Sequence, residues 1–243
     1  MKISQLARLI LLIGIIFSQE EQTPAYTYEG GWPVNPRSDE IVDPGFDLPC
    51  PGPIGCECTS NVDCENRNCS AHPRGNFCVP KAGDIMPRFE AIDQFGESVD
   101  LYDFAHQGKM ILIELSASWC FPCNDLASWL TTNDLKIREN KWWKDRYLPI
   151  RNLIKNGDVQ LVNVMFEGKE KSITATPEDV VAWYNKYPEP HVPVLADEYR
   201  FFHSWVKPTG LPCIFLLDEN MHLINYTNRG LTDAFLYLTK PKE

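Results

Sequence analysis

The sequence predicts an α/β domain preceded by a small disulfide-held module. Strand-like and helix-like stretches alternate from Lys81 to the C-terminus. Six of the nine cysteines crowd between Cys50 and Cys78, in a stretch almost without large apolar residues. A further pair, in Cys120-Phe121-Pro122-Cys123, stands where a strand-like run gives way to a helix-like one.

Residues 1–18 read as a secretory signal peptide or an N-terminal anchor. Lys2 and Arg8 supply positive charge, and Leu9 to Phe17 is an unbroken apolar run. That run is shorter than the roughly 20 residues that span a bilayer. Ile16 would sit at the −3 position of a cut after Ser18 and makes the site weak, so a cleaved leader and a retained membrane tether both stay open. Residues 19–49 form an acidic, Pro-rich linker. They carry seven acids against one base, Arg37, together with five prolines and no periodicity. The formal net charge of −10 argues against a nucleic-acid partner.

Residues 50–80 read as a cysteine-rich module. Cys50, Cys56, Cys58, Cys64, Cys69 and Cys78 lie among Gly, Pro, Asn and Ser, too little apolar material for a core, so structural disulfides must hold the segment. Six cysteines admit 15 pairings, and the sequence does not choose among them. Zinc on Cys58, Cys64, Cys69 and Cys78 is the competing reading; irregular spacing and the export-like N-terminus favour disulfides. No metal and no cofactor is assigned. The expected location is extracytoplasmic: secreted, periplasmic or in the lumen of a secretory pathway.

Residues 81–243 read as the α/β domain. Asp93-Gln94-Phe95-Gly96-Glu97 marks a turn between two short extended runs. Strands are expected at Met110–Leu115, Val159–Phe166, Cys213–Leu217 and Leu223–Thr227. Helices are expected at Cys120–Thr131, Trp142–Asn156, Pro177–Tyr187 and Glu198–Val206. Thr176-Pro177-Glu178-Asp179 is a strong helix start. Trp142 and Trp143 are read as core anchors, and His191 and His203 as ordinary surface or half-buried residues.

The Cys-x-x-Cys has a direct chemical reading. A helix N-terminus carries partial positive charge and spare N–H groups, which favour a thiolate on Cys120. Cys123, one turn on, can attack a mixed disulfide on Cys120 and release the product. Pro122 fits the first helical turn, where its missing N–H costs nothing. A zinc half-site would need two further ligands at similar spacing, and the neighbouring chain offers none.

With these residues the chain resembles the thioredoxin-like superfamily. It is most similar to exported TlpA-type thiol–disulfide oxidoreductases and their relatives in the alkyl hydroperoxide reductase group. The residues that carry the resemblance begin with Gly83, Pro87 and Phe89, then Asp93, Gly96 and Trp119-Cys120-Phe121-Pro122-Cys123. They continue through Val192-Pro193-Val194-Leu195 with Asp197, Gly210-Leu211-Pro212, Phe215-Leu216-Leu217-Asp218 and Gly230. Residues 1–80 lie outside it. The resemblance implies a thioredoxin-like fold and a protein-disulfide oxidoreductase that works on protein thiols, exchanges electrons with a redox partner protein and needs no cofactor. Direction of electron flow is left open.

The resemblance also implies roles for single residues. Pro212 would be a cis proline facing the disulfide, and the backbone of Leu211 would pair with an extended substrate. Trp119, Phe121 and Pro122 would flank that substrate. Glu114, six positions before Cys120, would be a buried acid that takes a proton from Cys123; burial would raise its pKa. Two residues depart from the family pattern. Ser116 replaces a large aromatic, which predicts space near the disulfide. Cys213 replaces the commoner Thr and is read as a small core residue or as an extra resolving thiol. A thiol peroxidase is the alternative enzyme, weakened by Ala117 and Ser118 where such relatives carry Thr. A metal- or partner-binding module on a thioredoxin scaffold is the non-catalytic alternative.

Overall fold

The computed structural model describes residues 27–46, 48–226 and 232–241. The apolar run of residues 1–18, the start of the acidic segment, Thr227 and Gly230 lie outside them.

The cysteine-rich segment is built on one hairpin, β1 (Cys69–His72) and β2 (Gly75–Cys78). Three disulfides staple it: Cys50–Cys56, Cys58–Cys69 and Cys64–Cys78. They take the place of the core that the composition cannot supply. All four sulfurs of the competing zinc set, on Cys58, Cys64, Cys69 and Cys78, are consumed in these bonds. The module is seated on the larger domain. Asn66 donates to Asp84 at 2.7 Å, and the ammonium of Lys207 lies 4.8 Å from the centre of the Phe77 ring.

A second hairpin, β3 (Glu90–Ile92) and β4 (Ser98–Asp100), precedes the main sheet. The Asp93 carboxylate closes its turn by accepting from the backbone N–H groups of Phe95 and Glu97. The five-stranded sheet follows. Its centre is β5 (Met110–Ala117), with β6 (Val159–Glu167) parallel on one side and β7 (Val194–Ala196) parallel beyond it. On the other side β8 (Cys213–Leu217) runs antiparallel to β5, and β9 (Leu223–Asn225) runs antiparallel to β8, giving the order β7-β6-β5-β8-β9. The helices are α1 (Phe121–Thr132), α2 (Pro149–Lys155), α3 (Pro177–Lys186), α4 (Phe201–Val206) and α5 (Thr232–Leu238).

The central strands are apolar on both faces because both faces are covered. Ile111, Ile113 and Leu115 of β5 join Phe89, Val99, Phe202 and Trp205 in one core. Leu112, pointing the other way, joins Leu126, Trp129, Tyr147, Ile150 and Phe235 in a second. Trp143 is buried in that second core, its ring 4.8 Å from that of Trp129.

Two helices are shorter than the sequence predicts. The expected helix Trp142–Asn156 is α2 alone, preceded by a 3-10 turn at Asp145–Tyr147. Pro149 has no N–H to give to the turn before it, so the helix begins at the proline instead of running through it. Helix α4 starts at Phe201, not Glu198: Arg200 adopts a left-handed conformation (φ 55°), and the Asp197 carboxylate accepts from the Phe201 and Phe202 N–H groups.

The acidic segment is extended, and its described part is also packed. Tyr28 and Trp32 are buried in the first core. The Tyr28 hydroxyl donates to Asp103 at 2.6 Å, and the Trp32 indole donates to Asp93 at 2.9 Å. Arg88 bridges Asp39 and Asp100, each at 2.6 Å. Residues 27–46 therefore strap the domain where composition alone suggests a solvated tether.

Candidate active site

Strand β5 ends at Ala117, and the chain turns through Ser118 and Trp119 into α1. Cys120 is the N-cap of that helix, and Cys120 and Cys123 are joined in a disulfide. The Cys123 N–H points at the Cys120 sulfur (3.2 Å), one of the free donors of the first turn. Pro122 occupies the first turn, as its missing N–H allows. Cys120, though only 3% exposed, lines a groove of about 990 Å3, and Cys123 is fully buried and does not line it. Phe121 stands beside them with 82% of its surface exposed.

Asn124 fixes the turn. Its amide donates to the carbonyls of Ser118 (3.0 Å) and Cys120 (2.8 Å), and its oxygen accepts from Tyr187 (2.7 Å) and Lys186 (2.9 Å). Trp119 is fixed as well. Its indole N–H donates to Glu167 at 2.8 Å, and the other oxygen of Glu167 meets Arg200 at 2.5 Å. The ring of Trp119 forms part of the groove wall.

The opposite wall comes from the chain leading into β8. Cys213 pairs with Leu115 in register, so Leu211 and Pro212 lie at the same end of the sheet as Cys120. The Leu211–Pro212 peptide is cis, and Leu211 lines the groove. His203 also lines it, stacked on Phe166 with ring centres 4.9 Å apart. Burial, reinforced by the charge of Arg200, pulls the His203 pKa down to about 4, so the ring is neutral at physiological pH.

Glu114 lies beneath α1 on the face of β5 shared with Leu112 and Ser116. It is 1% exposed, and burial pushes its carboxyl up to about 8. Its register partner on β6 is Asn163, whose amide donates to Glu114 Oε2 at 2.9 Å. Ser116 in turn donates to Asn163 Oδ1 at 2.8 Å. Glu114 Oε1 has no partner among the described residues. Glu114 lines a cavity of about 20 Å3 together with Ala127, one helical turn beyond Cys123. Ser116 is fully buried, holds Asn163 through its hydroxyl and does not line the groove of Cys120.

Cys213 is fully buried in the first core, and burial drives its thiol up to about 12. Only the thiolate is nucleophilic, so at physiological pH Cys213 is a packing residue.

The structure thus gathers Cys120, Trp119, Phe121, Pro122 and Leu211 around one groove, with Cys123 behind it. Sequence reasoning missed Asn124, Asn163, Glu167 and Arg200. A faint signal existed for Asn163, a lone amide in the apolar run of β6.

Among solved structures, the chain is similar to a pneumococcal exposed lipoprotein thioredoxin from Streptococcus pneumoniae: 21% identity over 63% of this chain and 97% of that one, TM-score 0.44. It is similar to the thioredoxin domain of a thiol-disulfide oxidoreductase from Bacteroides vulgatus: 20% identity, 65% and 94% covered, TM-score 0.43. A thiol:disulfide interchange protein from Bacteroides sp. gives 21% identity, 66% and 88% covered, and TM-score 0.43. No family model and no curated protein matches. The strand order β7-β6-β5-β8-β9, the Cys-x-x-Cys opening α1 and the cis Leu211–Pro212 peptide together give this chain a thioredoxin-like fold.

Proposed function

We propose that the chain is a thiol–disulfide oxidoreductase acting on protein cysteines outside the cytoplasm. The observation that carries this reading is the asymmetry of the pair: Cys120 lines the groove at a helix N-terminus, and Cys123 is buried behind it. In the reduced protein, the Cys120 thiolate attacks a substrate disulfide. One substrate sulfur leaves as a thiolate, and a mixed disulfide remains on Cys120. Cys123 gives up its proton and attacks the Cys120 sulfur, releasing the second substrate thiol and closing the Cys120–Cys123 bond. Two electrons pass to the substrate. A redox partner protein restores the dithiol, and the same steps reversed oxidise a client.

Glu114 is the proton acceptor for Cys123 in this scheme, directly or through water. A carboxyl titrating near 8 is matched to a thiol that must ionise near neutral pH. The backbone at Leu211, beside the cis peptide, pairs with the extended client chain, and Trp119, Phe121 and Pro122 bracket its cysteine. Extracytoplasmic work is supported by the three stapling disulfides, which persist in oxidising compartments. The apolar run at residues 9–17 supports delivery there.

The test is mixed-disulfide trapping. Cys123→Ser, mixed with a scrambled client that carries disulfides, should accumulate a covalent adduct through Cys120 that dithiothreitol releases. Cys120→Ser should give none. Adducts through Cys123, or none from either variant, would contradict the proposal.

A further inference from the structure

The groove beside Cys120 carries a charge that the rest of the chain does not. The whole chain has a formal net charge of −10, yet five cations line the groove against three acids. Two pairs cancel locally: Lys136 lies 3.5 Å from Asp125, and Arg200 lies 2.5 Å from Glu167. Arg74, Lys171 and Lys186 remain against Asp134. All three cations are exposed, and none has a carboxylate partner among the described residues.

These cations come from three separate parts of the chain. Arg74 sits in the turn between β1 and β2, so the disulfide module reaches the active-site groove. Lys171 lies in the segment after β6, its ammonium 4.5 Å from the centre of the Trp119 ring. Lys186 closes α3 and holds Asn124. His203, being neutral, adds no charge.

We infer that the groove receives an extended, acidic segment of a client protein around the cysteine that exchanges with Cys120, and that the disulfide module is the wall supplying Arg74. The inference rests on the oxidoreductase reading above. A cleft lined by one sign of charge raises the local concentration of the opposite sign. At physiological salt, charges beyond about 8 Å are screened. Distant repulsion from the chain's net negative charge therefore fades while contacts at the rim persist. At about 990 Å3 the groove lies at the upper end of the range of about 300–1,000 Å3 seen for small-molecule sites, so it has room for several residues of a client; glutathione disulfide in the test below separates a small anionic thiol from a peptide.

The test uses the full, reduced chain and peptide disulfides of about eight residues, whose cysteine is flanked by acidic, neutral or basic residues. At about 0.15 M salt, the acidic peptide should exchange about tenfold faster than the basic one. That ratio should fall towards one in Arg74→Ser/Lys171→Ser/Lys186→Ser. In the unaltered protein it should fall likewise at about 1 M salt, which needs no variant to fold. A ratio at or below one in the unaltered protein, or one that survives high salt, would overturn the inference. Glutathione disulfide exchanging as fast as the acidic peptide would overturn the extended segment. Exchange with none of the peptides would sink the oxidoreductase reading itself, and this inference with it.

Discussion

Glu114 and Asn163 face each other across β5 and β6, and the Asn163 amide donates to Glu114 Oε2 at 2.9 Å. This bond favours the carboxylate, yet burial outweighs it and leaves the group titrating near 8. Glu114 is therefore mostly protonated at pH 7 and becomes a base just where a thiol begins to ionise. Asn163 keeps the carboxyl oriented through that change, and Ser116 keeps Asn163 oriented.

Glu114→Gln should match the unaltered protein in exchange rate at pH 6, where the carboxyl is protonated and Gln resembles it. Above pH 8 the variant should be slower by about tenfold or more, because the base is gone. Stability should move the other way. The carboxyl titrates near 8 when folded and near 4.5 when free. Its contribution is thus full below pH 4.5 and is lost as pH rises towards 8. Gln does not titrate, so the variant should gain about 2–4 kcal/mol over the unaltered protein at pH 8 and nothing at pH 4. Rate profiles and urea midpoints at both pH values check this. A rate ratio constant from pH 6 to 9 would show that Glu114 is structural.

Glu167→Ala should release both Trp119 and Arg200. We expect KM for a peptide disulfide to rise about three- to tenfold with little change in kcat, because Trp119 no longer holds its place in the groove wall. Glu167→Gln, which can still accept from the indole, should recover most of the loss. Equal behaviour of the two variants would remove the Trp119–Glu167 bond from the account.

Trp32→Ala should loosen the strap. The indole is buried and bonded to Asp93, and a buried Trp-to-Ala change costs about 3–5 kcal/mol. Limited proteolysis should then cut first within residues 27–46, while α1 and the sheet stay protected. An unchanged cutting pattern and urea midpoint would mean that the strap contributes nothing to the fold.

Much of this was legible in the sequence because the signals were local. β5, β6 and β8 are buried on both faces and appear as short continuous apolar runs. Cys120, Pro122 and Cys123 form one turn, and their chemistry follows from that turn alone. Glu114 was singled out through the resemblance, as the acid six positions before Cys120 in an otherwise apolar strand. What was not legible arises between distant elements. Glu167 at the end of β6 and Arg200 before α4 meet only in the folded chain, and neither sequence neighbourhood says that Glu167 also holds Trp119. Asn124 looks like any first-turn residue until Tyr187 and Lys186 arrive from α3. The strap was obscured by its acids and prolines, although Tyr28 and Trp32 are unusual residues for a solvated linker. Pro149 could have placed the start of the helix expected from Trp142, because a proline fits the first turn and not the interior.

The central claim is that Cys120–Cys123 is a working redox pair while the six cysteines of residues 50–78 are structural. An equilibrium titration of the full chain against graded thiol–disulfide buffers, with mass tags counting free thiols, tests it most directly. We predict that two tags appear together at Cys120 and Cys123 as one two-electron couple, at a potential above roughly −300 mV. Cys58–Cys69, Cys64–Cys78 and Cys50–Cys56 should remain closed throughout that range, and Cys213 should stay unlabelled until the fold opens. Opening of the module disulfides before the Cys120–Cys123 pair, or no tags at that pair until denaturation, would contradict the account.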